Sequence, residues 1–165
     1  MTIGRFYAGI AALVWSPENQ RYLLLRRSEQ KDYARRAWEC VTGRVDQGEG
    51  FEDAVRREVR EELGVEVQVE HILGTTHFYR GAQVPENELV GVIYLCSLAE
   101  PASIQISAEH SEYRWLTADQ ALDLLSATDP STQWARRVIE RAEIIRSMLP
   151  EDLLTFQRGA GFELG

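Results

Sequence analysis

The stretch Gly43–Val65, GRVDQGEGFEDAVRREVREELGV, constrains this chain more than any other. Glu49–Leu63 has helical composition and no proline, and Gly64 follows as a C-terminal stop. At about 100° per residue, Phe51, Ala54, Val55 and Val59 fall on one side of that helix, and Asp53, Arg56, Arg57 and Arg60 on the other. Glu58 and Glu62 fall inside the apolar arc, and Glu61 lies at its edge. Water is the ordinary destination of a run such as RREVREE. Here two glutamates share the face that should pack on the rest of the fold, and a buried carboxylate must be paired, protonated or bound to metal. Like charges three and four residues apart also repel, by roughly a few tenths of a kcal/mol per pair. Glu58, Glu61 and Glu62 stacked on one edge therefore ask for a cation, and hard oxygen donors favour Mg²⁺ or Mn²⁺. Spacing alone leaves metal binding and a plain charged face evenly balanced. In the preceding loop, Gly43 and Gly48 allow positive φ and close backbone approach. A tight loop feeding a helix N-terminus can turn N–H groups toward phosphate oxygens, although two loop glycines can equally just make turns.

The flanking segments predict a mixed α/β fold of the α+β kind. Phe6–Trp15 and Arg21–Arg26 are apolar runs separated by the turn residues Ser16-Pro17-Glu18-Asn19, and read as a hairpin of buried strands. Arg5 before Phe6–Trp15 gives a faint likeness to a signal peptide, but the run is short and no small-residue cleavage site follows. Trp38–Val41 reads as a short strand, Val65–Val69 and Ile72–Tyr79 as strands, Leu89–Leu95 as the central one and Glu112–Leu116 as a short one. Thr117 caps a helix over Ala118–Leu125, and Asp129-Pro130 opens a last helix that ends at Pro150. The expectation is one domain over residues 1–165, with residues 150–165 as a loosely held tail. Its 165 residues suit a single core.

The formal charge of −8 argues against nucleic acid and anionic lipid as partners, since these need clustered Lys and Arg. No segment approaches the roughly 20 apolar residues of a membrane span. A small anionic substrate is still compatible, because a metal or a few arginines can reverse the field at one site. Cys40 and Cys96 sit in apolar runs and read as buried hydrophobes, and no CxxC or Cys/His spacing suggests zinc or a redox pair. A reducing, cytoplasmic location fits.

The stretch resembles the box of the Nudix hydrolases: a glycine, five residues, a glutamate, seven residues, then Arg-Glu-apolar-any-Glu-Glu-any-Gly-apolar. Gly43, Glu49, Arg57, Glu58, Val59, Glu61, Glu62, Gly64 and Val65 fill every fixed position. The resemblance implies a Nudix fold, a mixed sheet sandwiched between helices, and a Mg²⁺-dependent hydrolase of phosphorus-containing acid anhydrides. It implies Glu58, Glu61 and Glu62 as metal ligands, with Mn²⁺ as the alternative ion. Glu49 would support the site and Arg57 would hold the glutamates in position. Glu61 would share in catalysis, and Gly43 and Arg44 would meet the substrate. Relatives often carry two glycines at the loop start; Thr42 replaces the first here, and Arg44 follows Gly43. WECVTGRVDQGE and AEHSEYRWL are similar to the branch that cuts dihydroneopterin triphosphate and deoxynucleoside triphosphates, implying a monophosphate and pyrophosphate as products. Two rival readings stand beside this: a hydrolase of ADP-ribose or dinucleoside polyphosphates, and a nucleotide sensor without turnover. A homodimer stays open.

Outside the box, a base for the attacking water is sought in Ser107–Glu112, a polar segment before the Trp115 strand. Glu109 matches a glutamate several residues before the Trp in similar Nudix enzymes; Glu112 is the runner-up, and both also read as solvated loop acids. Arg26, Arg27, Lys31, Arg35 and Arg36 form a basic island. A solvated loop is the favoured account, with Arg27 and Arg36 as the substrate contacts if it grips phosphate. Tyr33, Phe78 and Tyr79 could stack on a planar ring, Tyr79 being the chosen contact, although strand aromatics more often pack in the core. Trp15, Trp38, Trp115 and Trp134 are assigned to packing. His71, His77 and His110 show no ligand spacing.

Overall fold

In the computed structural model, which describes residues 4–30 and 34–165, the two leading apolar runs form β1 (Tyr7–Ser16) and β2 (Arg21–Arg27). Both are buried on both faces. Ile10, Ala12 and Val14 join Leu23 and Leu25 in one core, whereas Ala11, Leu13 and Trp15 join Tyr22 and Leu24 in the other. This double burial explains why the runs are continuous rather than alternating.

The two strands pair only at the turn end, Trp15↔Tyr22 and Ser16↔Arg21, and then part. β3 (Trp38–Glu39) joins β2, and β4 (Val41–Arg44) joins the other half of β1, from Gly9↔Arg44 to Ala12↔Val41. The single strand expected over Trp38–Val41 is thus broken at Cys40, because one short segment serves two diverging neighbours. Strand β5 (Gln68–Tyr79) is antiparallel to β6 (Glu88–Ser97), which runs parallel to β1. Register shifts within β5, between Val69 and His71 and between Ile72 and Gly74, blur the alternation that split it in the sequence reading. β7 (His110–Leu116) is antiparallel to β2 on its remaining edge. Among the described residues these seven strands form one mixed sheet.

Helix α1 (Phe51–Leu63) covers one face through Ala54, Val55, Val59 and Leu63. On the opposite face lie α2 (Ala118–Leu124) and α3 (Pro130–Met148), through Ala121, Ala135, Val138, Ile139 and Ala142. The sandwich of a mixed sheet between helices is therefore as expected. Cys40 and Cys96 are buried free thiols, and the four tryptophans belong to the two cores or pack on them. Among the described residues no helix is long and apolar enough to cross a membrane.

The helix starts differ in kind. Thr117 and Gln120 form a reciprocal capping box on α2, and Asp129 accepts from the Thr132 backbone N–H at 3.0 Å on α3. At α1 the N-cap is Gly50, which has no side chain to offer. Its place is taken by Glu163, whose Oε1 accepts from the backbone N–H groups of Phe51 and Glu52. Glu52 in turn accepts from the Phe162 N–H. A Cβ at position 50 would collide with the Glu163 carboxylate. Residue 163 is carried there by α4 (Glu151–Ala160), a helix not read from the sequence, which docks when Arg158 Nε donates to the buried Glu70 at 2.7 Å. Phe162 then packs edge-on to Tyr94, with ring centroids 5.9 Å apart.

Candidate active site

The helical geometry anticipated for the box glutamates is present. Glu62 is buried, Glu58 is half-buried and Glu61 is exposed. Gly43 lies in β4 directly against this helix, and a Cβ there would collide with the Glu58 carboxylate. The glycine is needed for that close approach. It is absent from the positive-φ positions, whereas Gly48 in the loop does take φ +83°.

Arg57 organises the acids around it. Its Nε and Nη2 donate to the two oxygens of Glu49 at 2.8 and 2.9 Å, and Nη1 donates to Glu58 at 2.8 Å. Nη2 also donates to the Arg44 carbonyl at 2.8 Å, which ties the helix to the end of β4. The Glu61 contact is longer, 3.5 Å. Arg57 is thus a junction of loop, strand and helix rather than an exposed i,i+4 pair. It holds the Glu49 carboxyl below the usual carboxylate range. Glu58 moves the other way: burial pushes its carboxyl up, Arg57 pulls it down, and the charges of Glu61 and Glu109 push it up again.

Glu109 is brought to this edge by the chain before β7. The backbone N–H groups of Gln105 and Ser107 donate to the carbonyls of Leu63 and Glu62, both at 2.9 Å, completing the C-terminal end of α1. Glu112, the alternative acid, is held by Arg26 at 3.4 Å and by Arg114 Nε at 2.7 Å.

The remaining expected contacts are scattered. Arg44 places its guanidinium 4.3 Å above the Tyr7 ring. Arg27 donates to both oxygens of Glu39 at 2.9 Å. Arg36 donates to Glu29 on an exposed loop. With Arg35, Trp38, Asp129 and Thr132 it lines a groove of about 560 Å³ beside the start of α3. Trp38 packs in the core opposite α1, so this groove lies on the far side of the sheet from the box. The ring contact of Tyr79 is with His77 on its own strand, and β6 and β1 stand between β5 and β4. Lys31 and Tyr33 lie outside the described residues.

His110 is the feature that sequence reasoning passed over. Its side chain is 1% exposed, with Nε2 3.1 Å from Glu39 and Nδ1 3.8 Å from Glu62. A usable signal was Glu39 itself: an acid inside the apolar run WECV needs a buried partner.

The donor chemistry suits a hard divalent cation. Carboxylates of Glu58, Glu61 and Glu62 share one helix edge, Glu109 lies near enough for its charge to act on Glu58, and the chain makes room for Glu58 by omitting a side chain at 43. The arrangement is not a preformed cage: among the described residues no three His, Cys, Asp or Glu side chains are gathered closely enough to hold an ion as they stand. Arg57 supplies the positive charge there.

Residues 6–142 match the NUDIX domain, and the chain belongs to that family, whose members are pyrophosphohydrolases acting on phosphorus-containing anhydrides. Such hydrolases generally use divalent metals such as Mg²⁺. The chain is 31% identical over 126 residues to dihydroneopterin triphosphate diphosphatase of Escherichia coli K12, covering 70% of this chain and 81% of that protein. The fold is similar to that of a MutT protein from Methanosarcina mazei Go1, with a TM-score of 0.70 at 24% identity over 88% of this chain and 99% of that one. A C. elegans Ap4A hydrolase gives a TM-score of 0.67 at 17% identity, over 87% and 99% of the two chains.

Proposed function

We propose that this chain is a divalent-metal-dependent pyrophosphohydrolase of nucleoside or pterin triphosphates, releasing a monophosphate and pyrophosphate. The observation that carries the reading is the acidic edge of α1, where Glu58 is pushed above its usual range by burial and by the charges of Glu61 and Glu109 in spite of Arg57. A site built this way is stabilised by a cation. The similarity to dihydroneopterin triphosphate diphosphatase supports the triphosphate class, and the acidic surface fits a small substrate better than a nucleic acid.

Glu58, Glu61 and Glu62 would hold Mg²⁺ or Mn²⁺. When bound, the ion would offset the substrate's negative charge and make a water more acidic. Arg57 keeps Glu58 and the Glu49 loop in register. Glu109, outside the box, accepts the proton of the attacking water. The water oxygen bonds to phosphorus, the bridging P–O bond breaks, and its electron pair leaves with pyrophosphate. Arg44, at the end of β4, meets the phosphates.

The test is phosphate release, with added pyrophosphatase, from a panel of triphosphates, ADP-ribose and dinucleoside polyphosphates in Mg²⁺. A triphosphate with a planar ring should be the best substrate, and EDTA should abolish turnover. Glu62→Gln should fold and lose at least about 100-fold in kcat, or about 2.7 kcal/mol of barrier. Full activity in EDTA would refute the metal reading, and much faster turnover of ADP-ribose or a dinucleoside polyphosphate would refute the substrate class.

A further inference from the structure

Strand pairing places an unusual set of polar groups beneath α1. Leu23 and Leu25 of β2 face α1, and Glu39, paired with Leu25, shares that face. Arg27, two residues on, follows the same alternation. His110 would not be expected there, because Glu112 and Arg114 oppose Arg26 and Leu24 on the other face. The register slips between Arg26 and Arg27, however, and His110 is left opposite Arg27. Such a bulge re-aims one side chain. The result is a row, Arg27–Glu39–His110–Glu62, half-buried at its first two members and buried at its last two, that runs from the sheet to α1.

The chemistry of the row is directional. The Glu39 carboxylate can only accept, so Nε2 of His110 is the donating nitrogen. Nδ1 on the far side of the ring points at Glu62 Oε2, with the two side chains 1% and 6% exposed, so the imidazole fills the space between the two carboxylates. The separation there is 3.8 Å, beyond hydrogen-bond distance. Nδ1 of His110 has no hydrogen-bond partner among the described residues. The imidazole, anchored from behind by Glu39 and through it by Arg27, backs the Glu62 carboxylate on the side away from the acidic edge.

We infer that His110 is a positioning residue for Glu62, and that the Arg27–Glu39 pair acts on the metal site through it. This rests on the reading of Glu62 as a metal ligand. The experiment measures Mn²⁺ binding by electron paramagnetic resonance of the free ion, with circular dichroism to check folding, for wild type, His110→Phe, His110→Asn, Glu62→Gln and the His110→Phe/Glu62→Gln double variant. His110→Phe, which loses the bond that anchors the ring to Glu39, should weaken Mn²⁺ binding by about 10-fold or more. His110→Asn, which can still donate to Glu39, should recover part of it. The double variant should bind no more weakly than Glu62→Gln alone, since His110 acts through Glu62. If His110→Phe does not fold, the Asn variant carries the same comparison. Wild-type affinity in the histidine variants, or additive losses in the double variant, would overturn the inference while leaving the metal reading intact. A wild-type protein that binds no Mn²⁺ would overturn both.

Discussion

Two arginines organise the polar groups around α1, and they differ in how much water reaches them. Arg57 gathers Glu49, Glu58 and the Arg44 carbonyl at the rim, where its side chain keeps 26% of its exposure. Arg27 grips Glu39 beneath the helix, with side chains 11% and 14% exposed. Water still reaches Arg57, and it spreads its donors over Glu49, Glu58, Glu61 and a carbonyl, so its bonds can be exchanged. The acids held most closely are equally dry, Glu39 and Glu58 14% and Glu49 15% exposed, so the difference lies in the arginine, which is less than half as exposed in the inner pair. One arrangement suits groups that must move during a reaction; the other suits groups that must not.

The largest expected effect separates the two. Glu39→Ala removes both the bidentate acceptor of the largely buried Arg27 and the acceptor of His110, and should cost about 3–5 kcal/mol of stability, read from urea denaturation. A loss no greater than that of Arg57→Ala would remove the distinction. Arg57→Ala should cost less stability, because its pairs are partly solvated and each is worth about 0–1 kcal/mol. Its kcat should nevertheless fall about 100-fold, equivalent to about 2.7 kcal/mol, and an unchanged kcat would show that the rim acids need no organiser.

The helix caps repeat the contrast on a smaller scale. Glu163→Ala removes the acceptor for two N–H groups and should cost about 1–2 kcal/mol, seen as a lower unfolding midpoint and faster amide exchange at Phe51 and Glu52. Asp129→Ala should cost about 1 kcal/mol at neutral pH. Hydrogen bonding from Thr132 holds the Asp129 carboxyl below its usual range. Folding therefore favours its ionised form; the stabilisation is present above the unfolded value of about 3.9 and is lost as pH falls through the folded value. The gap between Asp129→Ala and wild type should be level from pH 7 to 5 and shrink below about 4. A gap that grows in acid would mean that the carboxylate is not the cap.

What could be read from the sequence follows the same division. The rim cluster lies within one short stretch, and helical spacing puts Glu58 and Glu62 on the buried arc where the structure has them. Thr117 and Asp129 cap helices that begin at the next residue, so they too were legible. The inner row draws on residues 27, 39, 62 and 110, brought together by strand register and one bulge, and neither leaves a local pattern. The break at Cys40 arises because β1 and β2 part company, a fact of pairing rather than composition. Helix α4 escaped because its anchors, Glu70 and the start of α1, lie far back in the chain. Gly43 was recognised for its small size, but the reason is room for Glu58 rather than a left-handed turn.

The cap on α1 also sets an order of events during translation. Residue 163 emerges 112 positions after the Phe51 N–H that it serves, a delay of about 6–20 s at ordinary ribosomal speeds. Through that interval the nascent chain carries a 13-residue helix, marginal by itself in water, with its first amides open and acids crowded along one edge. A ribosome that stalled after α3 would present a chain able to pair its strands but with α1 still lacking its cap. Emergence of residue 163 thus becomes the event that lets this helix close at its first turn.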